Sequence, residues 1–125
     1  MKQVSKVEMR RIRKLTQRHG RADAVRGKEC PVCGNKGMVV HHVFPIRYGG
    51  KYGRYNLMAT CSGRCHSYLN KASNRYCRRH GEDFDTMSAL TFSRRIRRYI
   101  MTCIANRDAQ REKRRREKRR AEQCE

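Results

Sequence analysis

The sequence predicts a small α+β domain, two short strands followed by a helix, held by four cysteines and flanked by basic α-helices. Three observations predict it. Two close cysteine pairs, Cys30-x2-Cys33 and Cys61-x3-Cys65, lie 27 residues apart; two short apolar runs fall between them; and lysine and arginine crowd both ends of the 125-residue chain. With 32 Lys+Arg against 11 Asp+Glu, the net charge of +21 exceeds what solubility requires and selects a polyanionic partner. Nucleic acid is the leading candidate. A membrane surface attracts the same charge, but the chain has no run of about 18 apolar residues and no signal-peptide-like opening. It is therefore expected to be soluble, intracellular and cytoplasmic, with no membrane partner.

Residues 1–27 read as a basic helical segment, with Val4, Val7, Met9, Ile12 and Leu15 along one face and Gly20 as the stop. Residues 28–75 form the expected core. It opens on a knuckle from Lys28 to Gly37 and continues in a Val-rich strand from Met38 to His42. The polar loop Arg47-Tyr48-Gly49-Gly50-Lys51-Tyr52-Gly53-Arg54 then leads to a second strand, Asn56 to Thr60, making a distorted hairpin. A helix follows from Arg64 to about Asn74. Residues 76–106 are expected to pack on this core as a further helix, capped by Asp85 or Thr86 and beginning near Met87. Its apolar positions are Leu90, Phe92, Ile96, Ile100 and Ile104. Residues 107–125 are a charged tail with no core-facing positions, and the sequence leaves open whether it is helical or a solvated run.

A core this small needs a staple. Two cysteine pairs can converge on one tetrahedral Zn²⁺ as four thiolates, which closes the coordination shell and makes the site structural. An odd total of seven cysteines argues against a disulfide framework, and Cys77, Cys103 and Cys124 are expected to be free thiols.

A second constellation lies inside that frame: Val40-His41-His42-Val43-Phe44-Pro45, then Asn56, then His66 directly after Cys65. Adjacent histidines on a strand point to opposite faces, so one can face a metal while the other faces substrate. His66, near the start of the following helix, can complete a metal site with His41. Asn70, four residues on and on the same helical face, is a possible extra ligand or phosphate contact.

Taken in order, Cys-x2-Cys, His-His-x-x-Pro, Gly-Gly, Asn-Leu and Cys-x3-Cys-His resemble the HNH nucleases, the ββα-metal or His-Me finger endonucleases found among phage enzymes, homing endonucleases and nuclease colicins. The resemblance covers Cys30 to about Lys71. It implies a ββα-metal core, DNA as partner and metal-dependent hydrolysis of phosphodiester bonds, in a host cytoplasm if the gene is phage-borne. It also implies His41 as first metal ligand, His42 as general base, Asn56 as the residue that orients the base and its loop, and His66 as second ligand. The chain departs from the family at Cys61-x3-Cys65, where two intervening residues are more usual.

The chemistry fits these residue types. A neutral imidazole accepts a proton from water near neutral pH, and a divalent ion with open positions acts as Lewis acid on the phosphate. Mg²⁺ suits such a site, and Mn²⁺, Ni²⁺ or Co²⁺ can replace it. Arg47, Lys51 and Arg54 in the loop, and Arg94, Arg95, Arg97 and Arg98 near the end of the core, are candidate DNA-binding residues through phosphate contacts. The competing reading is a non-catalytic zinc-containing nucleic-acid-binding module, with a ribosome-associated zinc ribbon as a weaker third. Both explain the charge and the cysteines but leave His41, His42, Asn56 and His66 idle.

Overall fold

The computed structural model describes residues 1–124. Its order is α1 (Lys6–Leu15), α2 (Arg21–Val25), β1 (Val39–His42), β2 (Leu57–Thr60), α3 (Arg64–His80) and α4 (Ala89–Gln123). The expected α+β class is borne out: a two-stranded sheet lies among helices, with strand, strand and helix in the expected order.

Ser5 starts α1 by accepting a hydrogen bond from the Glu8 N–H, the first half of a capping box. Ile12 and Thr16 are the buried positions of the face α1 turns inward. Gly20, expected to stop this helix, does not. The chain widens into one π-helical turn over Thr16–Gly20 and continues as α2. A Cβ on Gly20 would lie 2.6 Å from Leu57 Cδ1, so the glycine serves close approach to β2 rather than termination.

The strands pair antiparallel, Val39 with Thr60 and His42 with Leu57, which sets His41 opposite Met58. The loop between them is compact. It carries two 3₁₀ turns, Ile46–Tyr48 and Arg54–Asn56, and folds back so tightly that a Cβ on Gly50 would collide with the Phe44 carbonyl oxygen.

α3 runs six residues beyond its expected end and buries Leu69, Ala72, Ser73 and Cys77. α4 is capped by Ser88, whose hydroxyl accepts from the Thr91 N–H, rather than by Asp85 or Thr86. Those two residues lie in a 3₁₀ segment, Gly81–Thr86. The apolar stripe Phe92, Ile96, Ile100 and Ile104 is buried as expected and meets Phe44, Met58 and Leu69 in the core. Phe44 stands edge-on to Phe92, with ring centroids 4.9 Å apart.

Residues beyond 107 continue α4 to Gln123 without a break, so that the 35-residue helix is about 52 Å long. No core contact holds this last part. Its Lys, Arg, Glu, Ala and Gln are strong helix formers, and Glu112 pairs with Arg116 one turn on at 3.2 Å. No helix among the described residues is long and apolar enough to cross a membrane.

Candidate metal and nuclease site

The four cysteines of the two close pairs converge. Their sulfurs all lie within 4.8 Å of one another, and Cys33 Sγ is 3.5 Å from Cys61 Sγ. Tetrahedral zinc with Zn–S bonds of about 2.3 Å spaces its sulfurs about 3.8 Å apart, so the quartet matches a four-thiolate zinc site and is far too open for disulfides. The electrostatics agree. Burial opposes ionisation of Cys30, yet the Cys61 N–H, the Thr60 hydroxyl and the N–H groups of Cys33 and Val32 bring it down to about 6. Burial and the neighbouring thiols of Cys61, Cys33 and Cys30 push Cys65 up instead. A cluster that favours one thiolate and resists the next is one that a dication completes.

Local backbone explains the positions. Cys30 N–H donates to Asn35 O at 2.7 Å and Gly34 N–H to Cys30 O at 2.8 Å, closing the knuckle, and Gly34 supplies its positive φ of 79°. The three-residue spacing of Cys61 and Cys65 is absorbed by Gly63, at φ 86°, immediately before α3. The extra residue therefore leaves Cys65 and His66 in the first turn of α3. The remaining cysteines are unpaired, and burial raises Cys77 to about 12, which keeps it inert.

The adjacent histidines diverge. His41 points toward α3 and is buried, with Nε2 2.9 Å from the Ser73 hydroxyl and its ring 5.6 Å from that of His66, edge to face. His42 points toward α1, where Nε2 lies 2.9 Å from Thr16 Oγ1. Burial, then the neighbouring His66 and His42, drops His41 to about 3; burial, then Arg13 and His66, drops His42 to about 4. Both rings are neutral at physiological pH. Burial alone lowers His66.

Among the described residues, the sealed side-chain nitrogens and oxygens without a partner are His41 Nδ1 and Arg107 Nε. An orphaned nitrogen in a buried imidazole is costly. A divalent ion shared with the neighbouring His66 would satisfy it, so the donor set fits a metal.

His42 and His66 both open onto a cleft of 360 Å³ between α1, the β1–β2 loop and α3, whose other polar walls are Arg13, Arg47, Asn70 and Asn74. Sequence reasoning missed Arg13, Thr16, Ser73 and Asn74. A signal was present: Met9, Arg13 and Thr16 share one helical face, as do His66, Asn70, Ser73 and Asn74, but nothing in the sequence says which elements those faces meet.

Asn56 is fully buried, and the hydrogen bonds of its side chain go to partners other than the His42 ring. Its Oδ1 accepts from the Phe44 N–H and the Ser93 hydroxyl, each at 2.7 Å, and its Nδ2 donates to the Phe44 carbonyl at 3.0 Å and the Lys51 carbonyl at 2.9 Å. Every capacity of the amide is used, and the result is a latch across the loop that follows His42.

The basic residues separate. Arg47 faces the cleft, its guanidinium over the Tyr48 ring. Lys51 Nζ lies 3.9 Å from the Glu8 carboxylate, and Arg54 borders a different depression. Arg94, Arg95 and Arg98 are exposed on α4, whereas Arg97 turns inward and donates to the carbonyls of Tyr55 at 3.0 Å and Leu57 at 3.1 Å. Arg107, grouped by sequence with the tail, is a strut: it donates to the Val32 carbonyl at 2.8 Å and lies over the Tyr68 ring.

No curated protein and no solved structure matches the chain. The model of the HNH endonuclease family matches residues 30–71, from the first cysteine of the quartet through both strands and into α3, and in this segment the resemblance read from the sequence is borne out.

Proposed function

We propose that the chain is a metal-dependent HNH DNA endonuclease that hydrolyses phosphodiester bonds, with His42 as general base and a divalent ion held by His41 and His66. The observation that carries the reading is two neighbouring imidazoles of β1 with different surroundings: His42 on the wall of the cleft that His66 also lines, and His41, whose sealed Nδ1 has no partner among the described residues, with its ring against that of His66. A non-catalytic nucleic-acid-binding zinc module has no use for either.

In this reading the cysteine quartet holds structural Zn²⁺ and fixes the start of α3, and with it His66. His41 and His66, with Asn70 as a possible third donor, hold the divalent ion, Mg²⁺ or a substitute such as Mn²⁺ or Ni²⁺. When bound there, a divalent ion would supply Lewis-acid stabilisation of the charge that develops on the phosphate. His42, neutral at pH 7, takes the proton of the attacking water. Ser73 holds the His41 ring from behind, as outer partners of metal-bound histidines do. Asn56 acts as a positioning residue, keeping Phe44 and the loop to Lys51 folded beside the base. Arg13 and Arg47 line the same cleft as His42 and attract the phosphate backbone.

The test is incubation of purified chain with supercoiled plasmid and Mg²⁺ or Mn²⁺. Nicked or linear product is expected, lost by a factor of about 10² to 10⁴ in His42→Ala, which keeps its zinc, its fold and its DNA affinity. DNA binding without any metal-dependent cleavage would favour the non-catalytic module.

A further inference from the structure

We propose that Thr16, on the N-terminal helical segment, is a positioning residue that fixes the proton of His42 on Nε2 and so leaves Nδ1 as the lone pair facing the cleft. The proposal deepens the nuclease reading and rests on it for its catalytic meaning, though not for the tautomer itself.

Thr16 Oγ1 lies 2.8 Å from the Ile12 carbonyl oxygen and 2.9 Å from His42 Nε2. Two oxygens at that separation need a proton between them. The carbonyl has none to give, since its other contact is the Thr16 backbone N–H that it accepts. The threonine's single hydroxyl proton therefore points at Ile12 O, and what Oγ1 turns toward His42 is a lone pair. The contact to Nε2 then requires the imidazole to donate. A neutral imidazole carries one N–H, so Nδ1 is bare.

Nδ1 makes no hydrogen bond among the described residues, and it is not one of their sealed, unpartnered atoms, His41 Nδ1 and Arg107 Nε. It is therefore open to the cleft that His42 lines. The local backbone serves this arrangement. The π-helical turn begins at Thr16, and such turns re-aim side chains inside helices, often at functional sites. Thr16 is itself buried, so its hydroxyl has no water to turn to instead. The segment read from sequence as a basic helix thus contributes a wall and an orienting group to the site.

Thr16→Val keeps the shape and removes the acceptor; Thr16→Ser keeps the hydroxyl. In Thr16→Val a protonated Nε2 would be left without a partner, so the ring should move its proton to Nδ1. Long-range ¹H–¹⁵N correlation spectra of the full chain at pH 8, above the ordinary imidazole value of about 6.5, distinguish a protonated from a bare ring nitrogen, with His42 assigned by the signal lost in His42→Ala. A bare Nδ1 is expected in the wild type and Thr16→Ser, and a protonated or mixed Nδ1 in Thr16→Val. In plasmid nicking, kcat should fall about tenfold or more in Thr16→Val with KM unchanged, and recover in Thr16→Ser. A protonated Nδ1 in the wild type, or a Thr16→Val spectrum identical to wild type, overturns the assignment. Expected spectra with unchanged kcat in Thr16→Val overturn the positioning role. Expected spectra in a wild type that cuts no DNA support the tautomer assignment and sink the nuclease reading alone.

Discussion

Truncation after Gln110 tests whether the free end of α4 grips nucleic acid. It removes eight Lys/Arg and four Glu, a net loss of four positive charges. Arg111, Arg114, Arg115 and Lys118 share one face of the helix, while Glu112 sits within 4 Å of Arg115, Arg116 and Arg119 and offsets part of that charge. About three phosphates are therefore expected to be contacted at once. Each contributes about 0.9 to the slope of log affinity against log salt, so the slope should flatten by about 2 to 4. Over a fourfold change in salt, such as about 50 to 200 mM, a change of about 2.7 means that the truncation weakens binding about 40-fold more at the low end than at the high end. Fluorescence anisotropy on a short duplex at several salt concentrations reads this directly, and unrelated duplexes should give the same change because phosphate contacts carry no base information. Parallel lines for the two chains would refute the grip. The cut must fall after Gln110: one made after Asn106 also removes Arg107, whose hydrogen bond to Val32 is worth about 2 kcal/mol, and should lower the melting temperature where the shorter truncation does not.

Two further expectations concern the frame. Cys30→Ser and Cys65→Ser should unfold or aggregate the chain, whereas mild chelation should stop cleavage without unfolding it, leaving one zinc per chain by elemental analysis; folded protein with no zinc would remove the staple. Asn56→Ala strips partners from the Phe44 N–H and from two carbonyls, so the thermal melt should lose about 3 kcal/mol or more. A melt within about 0.5 kcal/mol of wild type would mean the latch holds nothing.

What was legible in the sequence was what spacing encodes. The cysteine pairs fixed the quartet, the alternation of strand side chains separated His41 from His42, and the apolar stripe from Phe92 to Ile104 located the buried face of α4. What was not legible depended on which surfaces meet. Thr16 looks like any polar helix residue until α1 is placed against β1, and Arg97 and Arg107 are indistinguishable by composition from the arginines beside them until their carbonyl partners are known. Gly20 misled because a glycine that permits contact and one that ends a helix read the same in a chain taken alone. The cap of α4 lies two to three residues beyond the sequence expectation because Asp85, Thr86 and Ser88 are all good N-caps, and the first two are taken up by the 3₁₀ segment Gly81–Thr86.

α4 is fastened at three points along one side: Ser93 to the Asn56 amide, Arg97 to the carbonyls of Tyr55 and Leu57, and Arg107 to the carbonyl of Val32. On a helix, one inserted residue rotates everything after it by about 100° and advances it by about 1.5 Å. Between Ser93 and Arg107 no insertion or deletion can keep all three attachments, since even one of about two full turns, which restores the phase, displaces one end by about 11 Å. The sequence there is free to exchange exposed side chains but not to change length. Among the described residues past Gln110 no hydrogen bond ties the helix to the core, and this part of it can lengthen or shorten by single residues. Descendants of this chain are therefore expected to differ in the reach of the arm while preserving the residue count of the splint.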